Sequence, residues 1–189
     1  EIPVFVGAIG RKSVEMAAEI CDGWIPIFFS VDAFEETWGE HLEAGFAKGG
    51  RQRSDLEVSP SLQVAIDGDL EAAKSVVKAG LVLYFGGMGS RKTNFYVDLA
   101  HRFGFGDVAD EVQQRFQDGD RDGAFQAMPD EIVEATSLVG TEAEVAERIE
   151  RFGAAGIDRL IVSPVHMDRG EQLHTLERLG AISGVQTRG

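Results

Sequence analysis

The chain has 189 residues, with 18 Lys and Arg against 32 Asp and Glu, a formal charge of −14. At 43% hydrophobic and 26% charged residues it is too apolar for disorder, and it lacks the unbroken apolar run of a membrane span. So negative a surface repels phosphate backbones and anionic lipid, and no basic patch offsets it, so neither nucleic acid nor membrane is expected as a partner.

The single cysteine, Cys21, excludes an internal disulfide framework and any all-cysteine metal site, which points to a reducing, cytoplasmic setting. The length suits one domain. The chain opens on Glu1 rather than Met and enters a strand pattern almost at once, which predicts further polypeptide upstream.

In residues 3–7, Val4, Phe5 and Val6 lie between Pro and Gly with no charged alternate face, the pattern of a strand buried on both sides. Residues 11–21 place Val14, Ala17, Ala18 and Cys21 on one helical face and Glu15 and Glu19 on the other. After Asp22-Gly23, the stretch Trp24, Ile25, Ile27, Phe28 and Phe29 reads as a second buried strand. Asp32 and Glu35 stand in the capping-box relation ahead of a stripe of Phe34, Trp38, Leu42 and Phe46 that stops at Gly49-Gly50. Gly39 and Gly45 lie inside that helix. Residues 56–66 read as a third strand despite Pro60.

From about 69 to 140 the rhythm becomes helical with no strand candidate; helices are expected at 70–85, 94–103, 108–117, 121–127 and 130–137. Thr141 with Glu144 then forms a capping box, Leu160, Ile161 and Val162 form a fourth short buried strand, and a helix at 170–179 follows. Strands joined by amphipathic helices lie parallel. Four of them fit either an open doubly wound sheet or part of a (β/α)₈ barrel, which typically takes about 250 residues. This length suits half a barrel. Such a half has two open sheet edges, to be covered by the absent N-terminal half or by a partner chain in a homo-oligomer.

The first candidate site is the loop Gly7-Ala8-Ile9-Gly10-Arg11-Lys12 after strand one. A helix N-terminus offers unpaired N–H groups, two glycines allow close approach, and Arg11 and Lys12 add positive charge, so a phosphate-sized anion fits. A plain tight turn with solvated basic side chains fits the same residues. The run Gly86-Gly87-Met88-Gly89-Ser90-Arg91-Lys92-Thr93-Asn94 has the composition of a phosphate loop without its order. It is expected to be an active-site segment or a helix break, with Tyr84, Phe85, Asn94 and Tyr96 toward a pocket. The histidines His41, His101, His166 and His174 show no metal-ligand spacing, so no metal site is expected. His166 alone follows a strand, where barrel chemistry collects. No catalytic acid, base or nucleophile stands out, which leaves a non-catalytic ligand-binding or assembly module as a second reading.

Three segments together resemble the luciferase-like monooxygenase superfamily, in its branch of oxidoreductases dependent on the deazaflavin coenzyme F420. PVFVGAIGRKSVEMAAEICDGW resembles the family's strand-loop-helix unit, GTEAEVAERIERFGAAGIDRLIVSP its closing unit, and LYFGGMGSRKTNFYVDLAHRFGF the helical excursion of one actinobacterial-type group. The resemblance implies a (β/α)₈ TIM barrel of which this chain is the C-terminal half, about strands five to eight, with a helical insertion before the last strand. It assigns contact with the phosphate-bearing tail of F420, or with the phosphate of FMN, to Gly7, Ala8, Ile9, Gly10, Arg11 and Lys12. At Arg11 relatives usually carry Pro, so a rigid entry is exchanged for a charge. By position Phe28, Phe29 and Ser30 would border the substrate cavity. The implied activity is hydride transfer between reduced F420 and a small organic substrate, with an FMN-dependent monooxygenase as the alternative; the ring pocket would be built by strands not present here.

Overall fold

The computed structural model describes residues 2–90 and 92–184; Arg91, in the glycine-rich run, lies outside the described residues. Strands β1 (Phe5–Val6), β2 (Gly23–Trp24) and β3 (Glu57–Val58) form one parallel sheet in that order. Strands β4 (Ser61–Ile66), β5 (Leu138–Gly140) and β6 (Ile161–Pro164) form a second, in the order β5-β4-β6. A parallel bridge from Ile27 to Ser61 joins them. Ser61 thus faces Ile27 on one edge and Ile161 on the other, while Val64 faces Leu138 and Pro164. Because Val64 pairs with β6 on one edge, β5 must occupy the other edge, beyond the point where the segment carrying Ile27 leaves it.

Helix α1 (Arg11–Ile20) connects β1 to β2, and a π-helical turn (Glu35–Gly39) leads into α2 (Glu40–Gly49) between β2 and β3. The excursion after β4 holds α3 (Leu70–Gly87), α4 (Phe95–Arg102), α5 (Gly106–Gln117), α6 (Arg121–Ala127) and α7 (Asp130–Thr136). Helices α8 (Glu142–Ala154) and α9 (Arg169–Ile182) flank β6. No helix among the described residues is long and apolar enough to cross a membrane.

Four expectations need correcting. The run 56–66 is two strands: Pro60 has no N–H to donate, and past the Ser61–Ile27 bridge the chain passes from the segment after β2 to β5, with β6 on its other edge. The segment 69–140 does contain a strand, β5, whose three residues are too few to show a period and gain their pairing only from β4. Asp32 does not cap a helix; it pairs with Arg151, and the helix starts in a π-turn without a side-chain cap. Strands one and four are not buried on both sides: Val4 is 59% exposed and Ile161 36%, because β1 and β6 stand at the ends of the strand order.

Two apolar cores result. In the first, Trp24, Phe29, Phe34 and Trp38 cluster between the strands, α1 and α2, with Phe29 stacked on Trp38 at 5.3 Å between centroids. Buried aromatic rings of this size contribute a few kcal/mol each. The helices of the excursion close around the second, which includes Leu81, Val112, Met128 and Ile132. Phe28 packs against both.

Candidate functional site

The loop after β1 shows what its sequence can do. Gly10 is the N-cap of α1 in an extended conformation, φ −80° and ψ 145°, with no side-chain cap and no acidic residue in the first turn. The amides of the first turn therefore lack intrahelical acceptors, and the positive end of the helix stays uncompensated. Meanwhile the loop's carbonyls are drawn inward. Trp24 Nε1 donates to the Ala8 carbonyl at 2.8 Å, and Trp38 Nε1 and Arg102 Nη2 both donate to that of Ile9, at 3.4 and 2.8 Å. Fixing those negative ends toward the protein makes the loop's open side more hospitable to an anion.

That side faces a groove in two connected parts. One, about 620 Å³, is lined by Gly10, Arg11, Lys12 and Ser13 of the loop and helix and by Phe95, Asp98, His101 and Arg102 of α4. The other, about 380 Å³, is lined by Gly7, Ala8, Ile9, Gly10 and Ser13 together with Ile25, Ile27, Phe95 and Tyr96. They share Gly10, Ser13 and Phe95, so an apolar end at Ile25, Ile27 and Tyr96 opens into a cationic end at Arg11 and Arg102.

The basic residues are not equivalent. Lys12 is paired with Glu15 at 2.7 Å, and that lysine, chiefly by its hydrogen bond, holds the Glu15 carboxyl below its ordinary range. Arg11 and Arg102 have no carboxylate within ion-pair distance among the described residues. Burial, then repulsion from Arg11, pushes the Arg102 guanidinium below its usual basicity, with Asp98 opposing. Two unpaired arginines beside an uncapped helix start, in a chain of charge −14, make this groove suited to an anionic group. The sequence reading had not singled out Ser13 or Arg102. Arg102 lies 93 residues beyond Ile9, a pairing no local spacing reveals.

Other candidates fall into three environments. Phe28, Tyr84 and Tyr96 come together edge to face, with centroids 4.8 Å (Phe28–Tyr84), 5.9 Å (Phe28–Tyr96) and 4.7 Å (Tyr84–Tyr96) apart. Phe28 has φ 50°, a left-handed conformation uncommon for an aromatic residue, at the exit of the second strand segment. Burial pushes the Tyr96 hydroxyl above its ordinary pKa, with Tyr84 adding a little.

Asn94, Phe85, Phe29 and Ser30 are interior. Asn94 caps α4 through Tyr96 N at 2.9 Å and donates to the Phe85 carbonyl at 2.6 Å, so its side chain is occupied holding the excursion together. Phe85 is 2% exposed, a core residue of the excursion rather than a pocket wall. Phe29, in the first core, has no exposed surface and Ser30 only 4%, and neither lines the groove beside α1.

His166 belongs elsewhere, in a cleft of about 670 Å³ between the ends of β4 and β6 that it shares with Asp67 and Arg178. Its Nδ1 stands 3.5 Å from Glu171. His101 pairs with Asp110 at 3.1 Å, and Cys21 is buried. Among the described residues no group of three or more His, Cys, Asp or Glu is placed to hold a metal ion.

The family model described as luciferase-like monooxygenase matches residues 1–159, which include the loop, the groove and the whole excursion. The chain belongs to the luciferase-like monooxygenase family. A Mycobacterium tuberculosis member named "Putative coenzyme F420-dependent oxidoreductase Rv3520c" is 41% identical over 165 residues, 86% of this chain and 47% of that protein. The 5,10-methylenetetrahydromethanopterin reductase of Archaeoglobus fulgidus is 28% identical over 181 residues, 93% of this chain and 52% of the reductase. Among solved structures, the coenzyme F420-dependent tetrahydromethanopterin reductase of Methanopyrus kandleri superposes with a TM-score of 0.74 at 24% identity, over 98% of this chain and 51% of its own. The chain therefore has an α/β fold like that of this F420-dependent reductase, and it spans about half the length of the curated relatives it matches.

Proposed function

We propose that this chain is the C-terminal half, about strands five to eight, of a luciferase-like (β/α)₈ barrel, and that the groove beside α1 holds the phosphate-bearing tail of coenzyme F420. The observation that carries the reading is the pair Arg11 and Arg102, neither with a carboxylate partner among the described residues, facing an uncapped helix start in a chain of charge −14. The name of the Mycobacterium tuberculosis relative and the fold likeness to the F420-dependent reductase support it, as does the apolar surface left on β1 and β6 at the ends of the strand order. The strands that would cover that surface, and build the ring pocket, come from further polypeptide.

The residues present fit such a tail. Amides of Arg11, Lys12 and Ser13 receive a phosphate at the helix start, Gly10 allows close approach, and Arg11 and Arg102 supply charge. The apolar end at Ile25, Ile27 and Tyr96 excludes water from the side nearer the strands. When bound, the reduced deazaflavin supplies a hydride to a small organic substrate. The part of Phe28, Tyr84 and Tyr96 is to present an aromatic wall on the excursion side, and His166, in its separate cleft, is proposed only as a substrate neighbour.

Titrating the full-length protein with F420 and with FMN tests the reading. Micromolar F420 binding that weakens as salt rises is the expected result. Tight FMN binding without F420 binding would make the protein a flavin-dependent member instead, and binding of neither would leave a non-catalytic module.

A further inference from the structure

We infer that Arg102, carried by α4 of the excursion, is a positioning residue that holds the loop after β1 in its anion-accepting form; this rests on the coenzyme reading above and adds a residue to it. The guanidinium ties α4 to two other pieces of chain, the loop after β1 and the π-helical turn. It donates to the Ile9 carbonyl at 2.8 Å and to the Thr37 carbonyl at 3.4 Å, and lies 5.8 Å from the centre of the Trp38 ring. Arg102 is half-buried, and its hydrogen bonds go to these two carbonyls rather than to a carboxylate among the described residues.

The consequence is electrostatic. A carbonyl oxygen facing the groove would repel a phosphate. Ile9 is turned away by two donors, Arg102 and Trp38, and Ala8 by Trp24. Two of the five guanidinium N–H groups are used on carbonyls, and Arg102 is also one of the residues that line the groove. Phe95 and Tyr96 ride on the same helix, so the contact that fixes the loop also sets the opposite wall. Occupancy of the groove and docking of the excursion are therefore linked, each favouring the other.

The test uses the full-length protein with Arg102→Met, which keeps the stem, Arg102→Lys, which keeps one charge but cannot span both carbonyls, and Arg121→Met as a surface control. Without ligand, hydrogen exchange at the Val14 amide, which donates to the Gly10 carbonyl at 3.0 Å and so reports how firmly the loop is held, should run at least about tenfold faster in Arg102→Met, with β4 amides as protected as before. Unchanged exchange at Val14 overturns the inference whatever the coenzyme does. If Arg102→Met loses β4 protection through misfolding, Arg102→Lys decides in the same way. With F420, Arg102→Met should raise the coenzyme KM about tenfold or more while kcat holds, since Arg102 acts on the loop and touches no reacting group, and Arg121→Met should match the parent. A fall in kcat at unchanged KM would also overturn it. If the parent protein binds neither F420 nor FMN, the coenzyme reading fails, while the ligand-free exchange still judges Arg102.

Discussion

The indole of Trp38 and the guanidinium of Arg102 meet at the Ile9 carbonyl, one donating at 3.4 Å and the other at 2.8 Å. Trp38 reaches it from the π-helical turn Glu35–Gly39 and Arg102 from the end of α4, so the first core and the excursion meet at one peptide group. A π-turn widens the helix locally and redirects the side chains that follow, and such turns recur at functional sites.

Gly10 separates electrostatics from sterics. A Cβ there would come no closer than 3.8 Å to any neighbour, and the extended φ of −80° suits any residue. Gly10→Asp should thus stabilise α1 by a few tenths of a kcal/mol as an N-cap while lowering coenzyme affinity by at least about tenfold. A thermal melt with a coenzyme titration checks both signs; unchanged affinity in the folded variant removes the loop from the site.

Lys12→Ala and Arg11→Ala should differ. Lys12 is already engaged by Glu15, so its removal should cost less than about threefold in affinity, whereas losing the unpaired Arg11 should cost about tenfold. Titrations at two salt concentrations would show it, with Arg11→Ala having the shallower salt dependence; equal losses would refute the ranking.

Asn94→Ala should destabilise by about 2 kcal/mol or more, since it removes the α4 cap and leaves the buried Phe85 carbonyl without its donor. Chemical denaturation measures it, and a loss under about 0.5 kcal/mol would mean that water replaces the side chain.

Stability should fall on the acid side. Arg178, chiefly through its hydrogen bond, holds Asp67 below the ordinary aspartate value of 3.8, and Lys78 then Lys74 do the same for Asp130. Carboxyls depressed in the fold contribute stability that is fully present above their unfolded pKa and is lost as pH falls through the folded one. Melting temperature should therefore drop below about pH 4, and Arg178→Met should flatten part of that drop. An identical pH profile in Arg178→Met would exclude Asp67 as a contributor.

Gly45→Ala tests the packing of α1 on α2. A Cβ there would lie 2.1 Å from the Glu15 carbonyl oxygen, and one at Gly49 2.4 Å from that of Glu19. The helices must part to accept it, at about 1 to 3 kcal/mol by denaturant unfolding. As a helix interior Gly45 looks like a flaw; the tertiary approach of two backbones explains it.

Local chemistry was written plainly in the chain. Thr141 and Glu144 form the capping box their spacing promises, with Glu144 accepting from Thr141 N at 2.7 Å. The helices of the excursion begin and end within about two residues of their signals, because caps and glycines act on neighbours a few positions away. The three segments that resemble the luciferase-like family carried enough local pattern to place the chain in it.

What the tertiary structure alone decided are relations between distant residues. β5 is a strand only because β4 offers its edge, Phe29 is core only because Trp38 stacks on it, and Arg102 joins the groove only because α4 docks across 93 residues of sequence. The reason is physical: periodicity and capping are short-range and survive in the bare sequence, whereas pairing edges, burial and charge convergence arise when chain segments meet in space.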